Sequence, residues 1–313
     1  MKKTLLVIFT SILLMSYSSN ILVMCMPFGA RKTAADTIHV MSFNIWGGGG
    51  KSIERTAAVI KESGADIVGI QEEAKNAAAT IAQSLGWPTV HTYKSLLGKS
   101  CAIISKYPIV DFTESKIGVK LQISENKYIW MFNQHLNHCP YEPYRLKGIE
   151  YCGYGTLYSE EEAISSAWNA RKADVELTIA EINKAQAEKI PIFLTGDFNE
   201  PSYLDWTKRA TTAGLCQMPV VWPATKKLWD QTGIKDSYRT IYPDEVTNPG
   251  YTWTPVPEVK NEIFDRIDFV LYWGKRVTVI KSEIIGEKKP ESDIVVQDYP
   301  SDHRAVLSTF KID

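Results

Sequence analysis

The fold of this chain is constrained most by a series of short strand-like segments, six of which carry a polar cluster at one end. Residues 38–44 alternate between apolar and polar side chains, which indicates a half-buried strand, and residues 66–70 form an apolar run typical of a strand covered on both faces. Between them, Ser52 to Ser63 has helical spacing. Strands and helices interleave without a regular strand-helix repeat, so the pattern predicts an α+β fold and not a βα barrel.

Further elements are predicted along most of the chain. A second helix is expected at residues 75–84, and the longest helix is expected to begin at Ser159, where Ser159-Glu160-Glu161-Glu162 matches a capping box, and to end near Lys189. A short helix is expected just after Asn199. Further strands are predicted at residues 102–105, 128–135, 190–195, 266–272, 277–285 and 304–312.

The N-terminus has the composition of a secretory signal. Met1-Lys2-Lys3 precedes the apolar run Leu5 to Met15, and polar residues 17–20 interrupt that run before it reaches membrane-spanning length. We therefore expect a signal peptide at about residues 1–30, export, no stable membrane span, and one domain over residues 31–313. Cys25 leaves a second alternative open, acylation as a lipid anchor, although Met24 is larger than the residue such sites prefer.

The balance of charges and the cysteine content limit the classes of protein to which this chain can belong. With 35 basic and 36 acidic side chains the chain has no broad basic field, which disfavours a protein that grips nucleic acid mainly through its phosphates. Four cysteines lie beyond the signal segment, at positions 101, 139, 152 and 216. In an oxidising compartment Cys139 and Cys152 could close a short loop as a disulfide, and two free thiols are the alternative.

Two local patterns suggest sites that the full spacing does not support. Gly47-Gly48-Gly49-Gly50-Lys51-Ser52 follows a strand and opens a helix, as a phosphate-binding P-loop does, but Ile45 stands where the motif requires glycine. His135-Leu136-Asn137-His138-Cys139 contains three soft ligands for zinc, but no fourth ligand follows at a recognisable spacing. A flexible glycine turn and an ordinary loop are the simpler interpretations.

The polar clusters at the strand ends carry the chemistry. Side chains delivered to one rim of a rigid sheet core can converge into a site. Carboxylates and carboxamides suit Mg²⁺ or Mn²⁺, and histidines beside carboxylates can move protons. Such a set is suited to in-line attack of water on a phosphate ester. The six clusters are Asn44, Gln71-Glu72, His135, Asp197-Phe198-Asn199, Arg266-Ile267-Asp268 and Ser301-Asp302-His303.

These clusters lie in segments that resemble, in order, the motifs of the endonuclease/exonuclease/phosphatase superfamily, whose members include DNase I-like nucleases, neutral sphingomyelinases, inositol phosphatases and deadenylases. The resemblance spans residues 41–306 and implies a single domain with a four-layer αββα sandwich, DNase I-like, and a site where loops of the two sheets meet. The segments are Met41-Ser42-Phe43-Asn44-Ile45-Trp46, Asp66-Ile67-Val68-Gly69-Ile70-Gln71-Glu72, Asn133-Gln134-His135-Leu136, Thr195-Gly196-Asp197-Phe198-Asn199, Arg266-Ile267-Asp268-Phe269-Val270-Leu271 and Ser301-Asp302-His303-Arg304-Ala305-Val306.

The resemblance also implies roles for individual residues. Glu72 would be the principal ligand of Mg²⁺ or Mn²⁺, with Asn44 beside it and Asp302 near. His135 would donate to the phosphate or the leaving oxygen, Asp197 and Asn199 would orient water and the phosphoryl group, and His303, held by Asp268, would complete the acid-base set. Trp46 stands where some relatives carry Asp, which argues against a second metal ligand there and against the abasic-site nuclease branch.

The substrate is left open between three interpretations. The first is an exported metal-dependent phosphoesterase acting on a phosphate mono- or diester, such as a phosphorylated sugar, a lipid head group or a similar small ester. The alternatives are a secreted DNase I-like nuclease, with nucleic acid as substrate, and a non-catalytic binding protein on the same fold. We expect a monomer. The tyrosine-rich stretch after His135 predicts a substrate-facing lid, or else a cover over one edge of the core; its tyrosines are Tyr141, Tyr144, Tyr151, Tyr154 and Tyr158.

Overall fold

The computed structural model describes residues 37–313, so the predicted signal peptide and Cys25 lie outside the described residues. The strands in chain order are β1 (Thr37–Asn44), β2 (Ile67–Gln71), β3 (Thr89–Lys94), β4 (Ser100–Ser105), β5 (Ile109–Phe112), β6 (Gly118–Ser124), β7 (Lys127–His135), β8 (Ile192–Asp197), β9 (Lys235–Asp236), β10 (Asp268–Trp273), β11 (Val277–Gly286), β12 (Ile294–Val295) and β13 (Ala305–Ile312). The helical segments are α1 (Trp46–Gly49), α2 (Ile53–Ser63), α3 (Ala77–Leu85), α4 (Glu142–Leu146), α5 (Glu160–Gln186), α6 (Lys208–Thr212), α7 (Pro223–Thr232) and α8 (Ser237–Ile241).

The strands form two mixed sheets with a similar plan. The first sheet has seven strands in the order β12-β11-β13-β1-β2-β4-β3, and the second has six in the order β5-β6-β7-β8-β10-β9. Each sheet contains a parallel pair near its middle, β1 with β2 and β7 with β8, flanked mostly by antiparallel neighbours. Since the carboxyl ends of a parallel pair lie at the same edge, each sheet delivers two strand ends to one rim.

Alternation along the strands separates the core into layers. On β1, Val40 belongs to a cluster shared by both sheets, whereas Phe43 packs against Val59 and Ile60 of α2 on the outer face of the first sheet. On the outer face of the second sheet, α5 and α7 cover a third cluster. The order of layers is therefore helix, sheet, sheet, helix, and the α+β sandwich predicted from the sequence is confirmed.

A buried polar network crosses between the sheets close to the site. Asn133 on β7 donates through Nδ2 to the carbonyls of Ile70 and Ala102 in the other sheet, at 2.8 and 3.0 Å. Its Oδ1 accepts from Gln71 Nε2 at 2.6 Å and from Thr195 Oγ1 at 3.0 Å. Every polar atom of the Asn133 side chain is thus paired, which removes the cost of burying it.

Gly69 on β2 makes this network sterically feasible. A Cβ at position 69 would lie 1.8 Å from Thr195 Oγ1 and 2.6 Å from Asn133 Oδ1. Only the absence of a side chain allows the two sheets to approach closely enough for these hydrogen bonds.

The predicted elements are found with small differences at their ends. The longest helix ends at Gln186, and the strand expected from residue 266 begins at Asp268. The capping box at Ser159 is only half formed: Ser159 Oγ accepts from the Glu162 N–H, but the Glu162 carboxylate accepts from the N–H of Tyr158 instead of that of Ser159.

Other elements differ from the expectation more clearly. The helix expected after Asn199 is wrong; turns follow, and α6 begins only at Lys208. Five strands were not predicted. The partly exposed β3 and β5 lack a clear apolar period, β9 and β12 have only two residues each, and the alternation of β6 was overlooked. Across residues 37–313, no helix combines the length and the apolar character that crossing a bilayer requires.

Candidate active site

Register brings the predicted site residues of the second sheet side by side. His135, the last residue of β7, is paired with Asp197, the last residue of β8, and Asp197 is paired with Asp268, the first residue of β10. In the first sheet, Asn44 ends β1 opposite Gln71, and Glu72 follows directly. The five predicted site residues of these strand ends therefore start from the same rim of the sandwich; they are Asn44, Glu72, His135, Asp197 and Asp268.

Asp197 is the centre of the cluster. Its Oδ2 accepts from Asn44 Nδ2 at 2.9 Å and lies 3.6 Å from His135 Nε2 and 3.8 Å from His303 Nε2. Its Oδ1 accepts the backbone N–H of Asn199 at 2.9 Å. Burial raises the pKa of Asp197, and the charges of the two histidines oppose that rise. One carboxylate thus links strand ends of both sheets.

His303 is held between two carboxylates. Its Nδ1 lies 3.0 Å from Asp268 Oδ2, while its Nε2 is directed toward Asp197. Burial would lower the pKa of His303, but the charges of Asp268 and Asp197 outweigh it and raise the pKa to about 10. The ring of Trp253 packs against the imidazole, with centroids 4.9 Å apart. His303 is therefore oriented on three sides and held as an imidazolium in this arrangement.

The glycine run after β1 positions Glu72. The Gly47 N–H donates to Glu72 Oε2 at 2.6 Å, and Asn44 Nδ2 lies 3.4 Å from Oε1. The turn requires glycine at position 50, where φ is +58° and a Cβ would lie 2.1 Å from the Pro300 carbonyl oxygen. The run thus serves to hold a carboxylate, and the simpler interpretation of a glycine turn is the correct one.

The charge of Glu72 is stabilised by its surroundings. Burial raises its pKa, but the positive charges of His135 and His303 and the Gly47 N–H together bring the pKa below its usual value. Asp302 shows the opposite balance, because burial and the nearby charges of Glu72 and Glu258 raise its pKa to about 6, against the effect of His303. Within residues 37–313 neither Glu72 nor Asp302 forms an ion pair, although both feel the charge of His303. Two such acids close to each other are a donor set that a hard divalent cation can neutralise.

The residues that would hold a metal fit such a cation by their chemistry. Glu72, Asp302 and Asn44 offer oxygen atoms, and among them the acids repel one another. A different group of candidate ligand atoms in the described part of the chain is formed by Asp197, Asp268 and His303, whose atoms lie within 4.8 Å of one another. His303 lies within ion-pair distance of both aspartates of that group. In the described part of the chain, Glu72 and Asp302 have no such ion pair, although the charge of His303 acts on both.

His135 and Asn199 complete the predicted set at its edges. His135 Nε2 faces Asp197, and its Nδ1 has no hydrogen-bond partner among the residues from 37 onward. Burial lowers the pKa of His135. Asn199 adopts a φ of +49° and donates through Nδ2 to the carbonyl of Leu136. All eight residues proposed from the sequence therefore lie at one rim, with Asn199 and Asp302 at its periphery.

The tyrosine-rich segment, residues 138–158, flanks this rim and is called here the lid segment. Cys139 and Cys152 form a disulfide, so the predicted pairing is confirmed and the two sulfur atoms are not free to bind zinc beside His138. Tyr141 and Tyr144 are buried, as expected of a core cover, whereas Tyr151 is half-buried and Tyr158 is exposed. The interpretation as a core cover is therefore confirmed for Tyr141 and Tyr144, whereas the substrate-facing lid stays a prediction.

Four residues near the site were missed by sequence reasoning. Trp253 packs on His303, and Glu258 lies close enough to raise the pKa of Asp302. Lys99, on the loop between β3 and β4, contacts His138 and is attracted by the charges of Glu72 and Asp197. None of these three stands at the end of a predicted strand, so the sequence carried no signal for them.

Arg171 on α5 is the fourth of these residues and is fully buried. It donates to the carbonyls of Pro140 and Asn199 at 2.7 and 2.6 Å and to Glu142 Oε2 at 2.8 Å. The lid segment and the loop after β8 are therefore joined through one guanidinium. The signal available in the sequence was an arginine in the middle of the longest predicted helix. If such a helix buries the charge, the arginine needs partners.

The model for the endonuclease/exonuclease/phosphatase family matches residues 41–303, most of the described chain. The chain belongs to the endonuclease/exonuclease/phosphatase family. Members of this family are hydrolases acting on phosphate ester bonds, and they typically depend on a divalent metal. The match covers every polar cluster from Asn44 to His303 that the geometry brings to one rim.

Other proteins are similar to this chain in sequence or in fold. An uncharacterized protein of Caenorhabditis elegans, F14F9.5, is 29% identical over 311 residues, covering 93% of this chain and 96% of that protein. The catalytic domain of human nocturnin aligns with a TM-score of 0.56 at 18% identity, covering 89% of this chain and 95% of that one. TDP2 of D. rerio, complexed with a single-stranded DNA product, aligns with a TM-score of 0.56 at 14% identity. The alignment covers 88% of this chain and 99% of that one.

Proposed function

We propose that this protein is an exported metal-dependent phosphoesterase that hydrolyses a small phosphate mono- or diester. The observation that carries the proposal is the arrangement of Asp268, His303 and Asp197 beside the carboxylate of Glu72. His303 Nδ1 is hydrogen-bonded to Asp268 Oδ2 at 3.0 Å, and its Nε2 lies 3.8 Å from Asp197 Oδ2. This arrangement combines an oriented proton carrier with an acidic pair suited to a cation, which are the two requirements of phosphate ester hydrolysis.

The metal site would be formed by Glu72, with Asn44 and Asp302 beside it. When bound, Mg²⁺ or Mn²⁺ supplies charge neutralisation on the phosphoryl oxygens. Asp302 has no resolved cation partner and its pKa is raised to about 6, so a bound cation would stabilise its charged form. The metal would thus be expected to keep both acids ionised at neutral pH.

The remaining residues would position the reactants and move protons. Asp197, which faces Asn44, His135 and His303, orients water for attack on phosphorus, with Asn199 beside it. As the water oxygen bonds to phosphorus, the bond from phosphorus to the leaving oxygen breaks. Water gives up one proton to the Asp197 carboxylate, which lies beside the His303 imidazolium. The leaving oxygen takes one proton, for which His135 is the candidate donor.

A small ester is favoured over a nucleic acid by what surrounds the rim. The lid segment closes one side with a disulfide and packed tyrosines, and the exposed carboxylate of Glu258 lies at the edge. The formal net charge of −1 gives no basic field for a polyanion. Nuclease activity is the second candidate, since TDP2 of D. rerio on the same fold is complexed with a single-stranded DNA product.

Export is supported by two independent features. The charged and apolar start of the chain has the composition of a secretory signal. The disulfide between Cys139 and Cys152 is a bond that persists in oxidising compartments. Mass spectrometry of the mature N-terminus tests this part: a start near residue 30 supports cleavage, an acylated Cys25 supports a lipid anchor, and an intact Met1 contradicts export by signal cleavage.

Hydrolysis of p-nitrophenyl phosphate and bis(p-nitrophenyl) phosphate tests the activity. Each ester is assayed with Mg²⁺, with Mn²⁺ and with EDTA, beside the variant His303→Ala. We expect turnover that requires a metal and is lost in the variant, and the preferred ester then distinguishes monoesterase from diesterase. Equal rates in the variant and the wild type would contradict the proposal; degradation of single-stranded DNA without hydrolysis of either small ester would favour the nuclease.

A further inference from the structure

A buried carboxyl group that the proposed chemistry does not use lies directly after Asn199. Glu200 is fully buried, and its Oε1 accepts the backbone N–H of Ala224 at 2.6 Å. Its Oε2 lies 3.9 Å from Nη1 of Arg171 and has no hydrogen-bond partner among residues 37–313. Because a carboxyl group is costly to bury, one that is kept beside a residue of the site needs a physical reason.

Glu200 takes the place of a missing cap at the start of α7. The first N–H groups of a helix have no partner inside the helix. The residue before α7 gives no side-chain hydrogen bond to it, and Pro223, its first residue, has no N–H. The Glu200 carboxyl satisfies the N–H of Ala224, and the Tyr203 N–H donates to Thr225 Oγ1 at 2.9 Å. The loop after β8 is thus attached to α7 at two points.

The same loop is attached to α5 by Arg171. This arginine donates to the Asn199 carbonyl at 2.6 Å and lies between the carboxyl groups of Glu142 and Glu200. Burial raises the pKa of Glu200 to about 8, against the effect of the Arg171 charge. At neutral pH Glu200 is therefore mostly protonated, and glutamine is its closest substitute.

Asn199 depends on these contacts more than Asp197 does. Asp197 is held by strand register and by the hydrogen bond from Asn44. Asn199 lies beyond the end of β8 and has a φ of +49°, a conformation that residues other than glycine rarely adopt. Its Nδ2 donates to the Leu136 carbonyl at 3.1 Å. The direction of this side chain therefore depends on how the loop holds its backbone.

We propose that Glu200 is a positioning residue of the site. By joining the loop to the start of α7, and with Arg171 on the other side, it fixes the backbone of Asn199 and hence the direction in which the Asn199 side chain meets the phosphoryl group. Glu200 itself takes no part in proton transfer, because it is fully buried and its Oε1 accepts a backbone N–H. This inference rests on the proposed function, because it concerns the geometry of the same site.

Kinetics on bis(p-nitrophenyl) phosphate test the inference with a matched pair of variants. Glu200→Leu removes the acceptor for the Ala224 N–H, and we expect kcat to fall by about tenfold or more, because small displacements of a positioned group slow a reaction strongly. Glu200→Gln keeps an acceptor oxygen and the shape of the side chain, so kcat should stay within about threefold of the wild type. Unchanged kcat in Glu200→Leu would overturn the inference, and equal losses in both variants would contradict the role of the acceptor oxygen.

Two controls separate positioning from a general loss of stability. Thr207→Ala removes the side chain that accepts the Ala210 N–H at the start of α6, so it should destabilise the protein without changing kcat. The affinity for Mg²⁺, measured by calorimetry, should be the same in the wild type and in Glu200→Leu, because the proposed metal ligands belong to other loops and strand ends. A loss of kcat in Thr207→Ala as large as that in Glu200→Leu would overturn the inference.

A double-mutant cycle identifies the residue through which Glu200 acts. The cycle compares Glu200→Leu, Asn199→Ala and the double variant with the wild type. If Glu200 acts through Asn199, the double variant should have the kcat of Asn199→Ala alone. Losses that multiply in the double variant would show that Glu200 does not act through this side chain, and the inference would be wrong.

Hydrogen exchange measured by mass spectrometry gives a readout that needs no turnover. Exchange at residues 198–203 should be faster in Glu200→Leu than in the wild type and unchanged in Glu200→Gln. Equal exchange in all three proteins would overturn the inference, whatever the activity. Failure of the wild type to hydrolyse either p-nitrophenyl ester counts against the proposed function, whereas hydrolysis that Glu200→Leu leaves unchanged overturns only the inference.

Discussion

The sheet rim and the lid segment lie on two sides of the same site but are built in different ways. At the rim, polar side chains leave the ends of β1, β7, β8 and β10, so strand register alone brings them together. In the lid segment, residues without regular strands are held by a disulfide, by tyrosines packed edge to face and by Arg171. The rim is thus suited to fixed chemistry, and the lid segment to differences in substrate choice.

The largest expected effect comes from the rim. Replacing His303 by alanine removes the imidazole between Asp268 and Asp197, and we expect kcat on the best ester to fall by about a hundredfold to ten-thousandfold. Steady-state kinetics measure the change, with circular dichroism to confirm the fold. Activity near that of the wild type would contradict the contrast between rim and lid segment, because the reaction would then not depend on the side chains of the rim.

The junction of the two regions should give the next largest effect, on stability. Arg171→Met leaves the buried carboxylate of Glu142 without its partner and frees the carbonyls of Pro140 and Asn199. Removing one member of a buried ion pair costs about 3–5 kcal/mol, so urea denaturation should show a loss of that size. Arg171→Lys, which keeps the charge but not the fork of donors, should lose less; equal losses would show that geometry rather than charge matters.

The disulfide should matter for stability and little for the chemistry. The double variant Cys139→Ser, Cys152→Ser opens a loop with a sequence separation of 13 residues. On the chain-entropy estimate it should lower the free energy of unfolding by about 3 kcal/mol. The rate on bis(p-nitrophenyl) phosphate should stay within about threefold of the wild type, since His135, Asp197 and Asp268 are held by strand register and not by this bond. A much larger loss of rate would mean that the lid segment also positions the rim.

The smallest effect is expected at the boundary between the lid segment and α5. Ser159→Ala removes the side chain that accepts from the Glu162 N–H at the start of the helix. We expect a loss of about 1 kcal/mol in the free energy of unfolding, measured by urea denaturation, with kinetics unchanged. Ser159→Asp is the matched control, since it restores an acceptor and should recover most of the stability. No difference between the two variants would contradict a capping role.

The sequence predicted the rim better than the lid segment for a physical reason. The apolar periodicity of the strands predicted that Asn44, Asp197 and Asp268 lie at strand ends, and the similar chemistry of their side chains suggested a common site. The strand register and the hydrogen bond from Asn44 to Asp197 bring the three together. The roles of these residues stay predictions. Trp253 and Glu258 could not be found in this way, because their position depends on how a long loop packs, which no local pattern encodes.

Gly69 shows how a position remote from any substrate can be the least replaceable in the chain. A methyl group there would collide with Thr195 and Asn133 and would force the two sheets apart or let one slide along the other. Either displacement would move Asn44 on β1 away from Asp197 on β8, which are joined across the sheets by a hydrogen bond of 2.9 Å. The distance between the two sheets beneath the rim therefore depends on the absence of a side chain at position 69. We expect substitutions at this position to be tolerated least, although glycine has no reactive group.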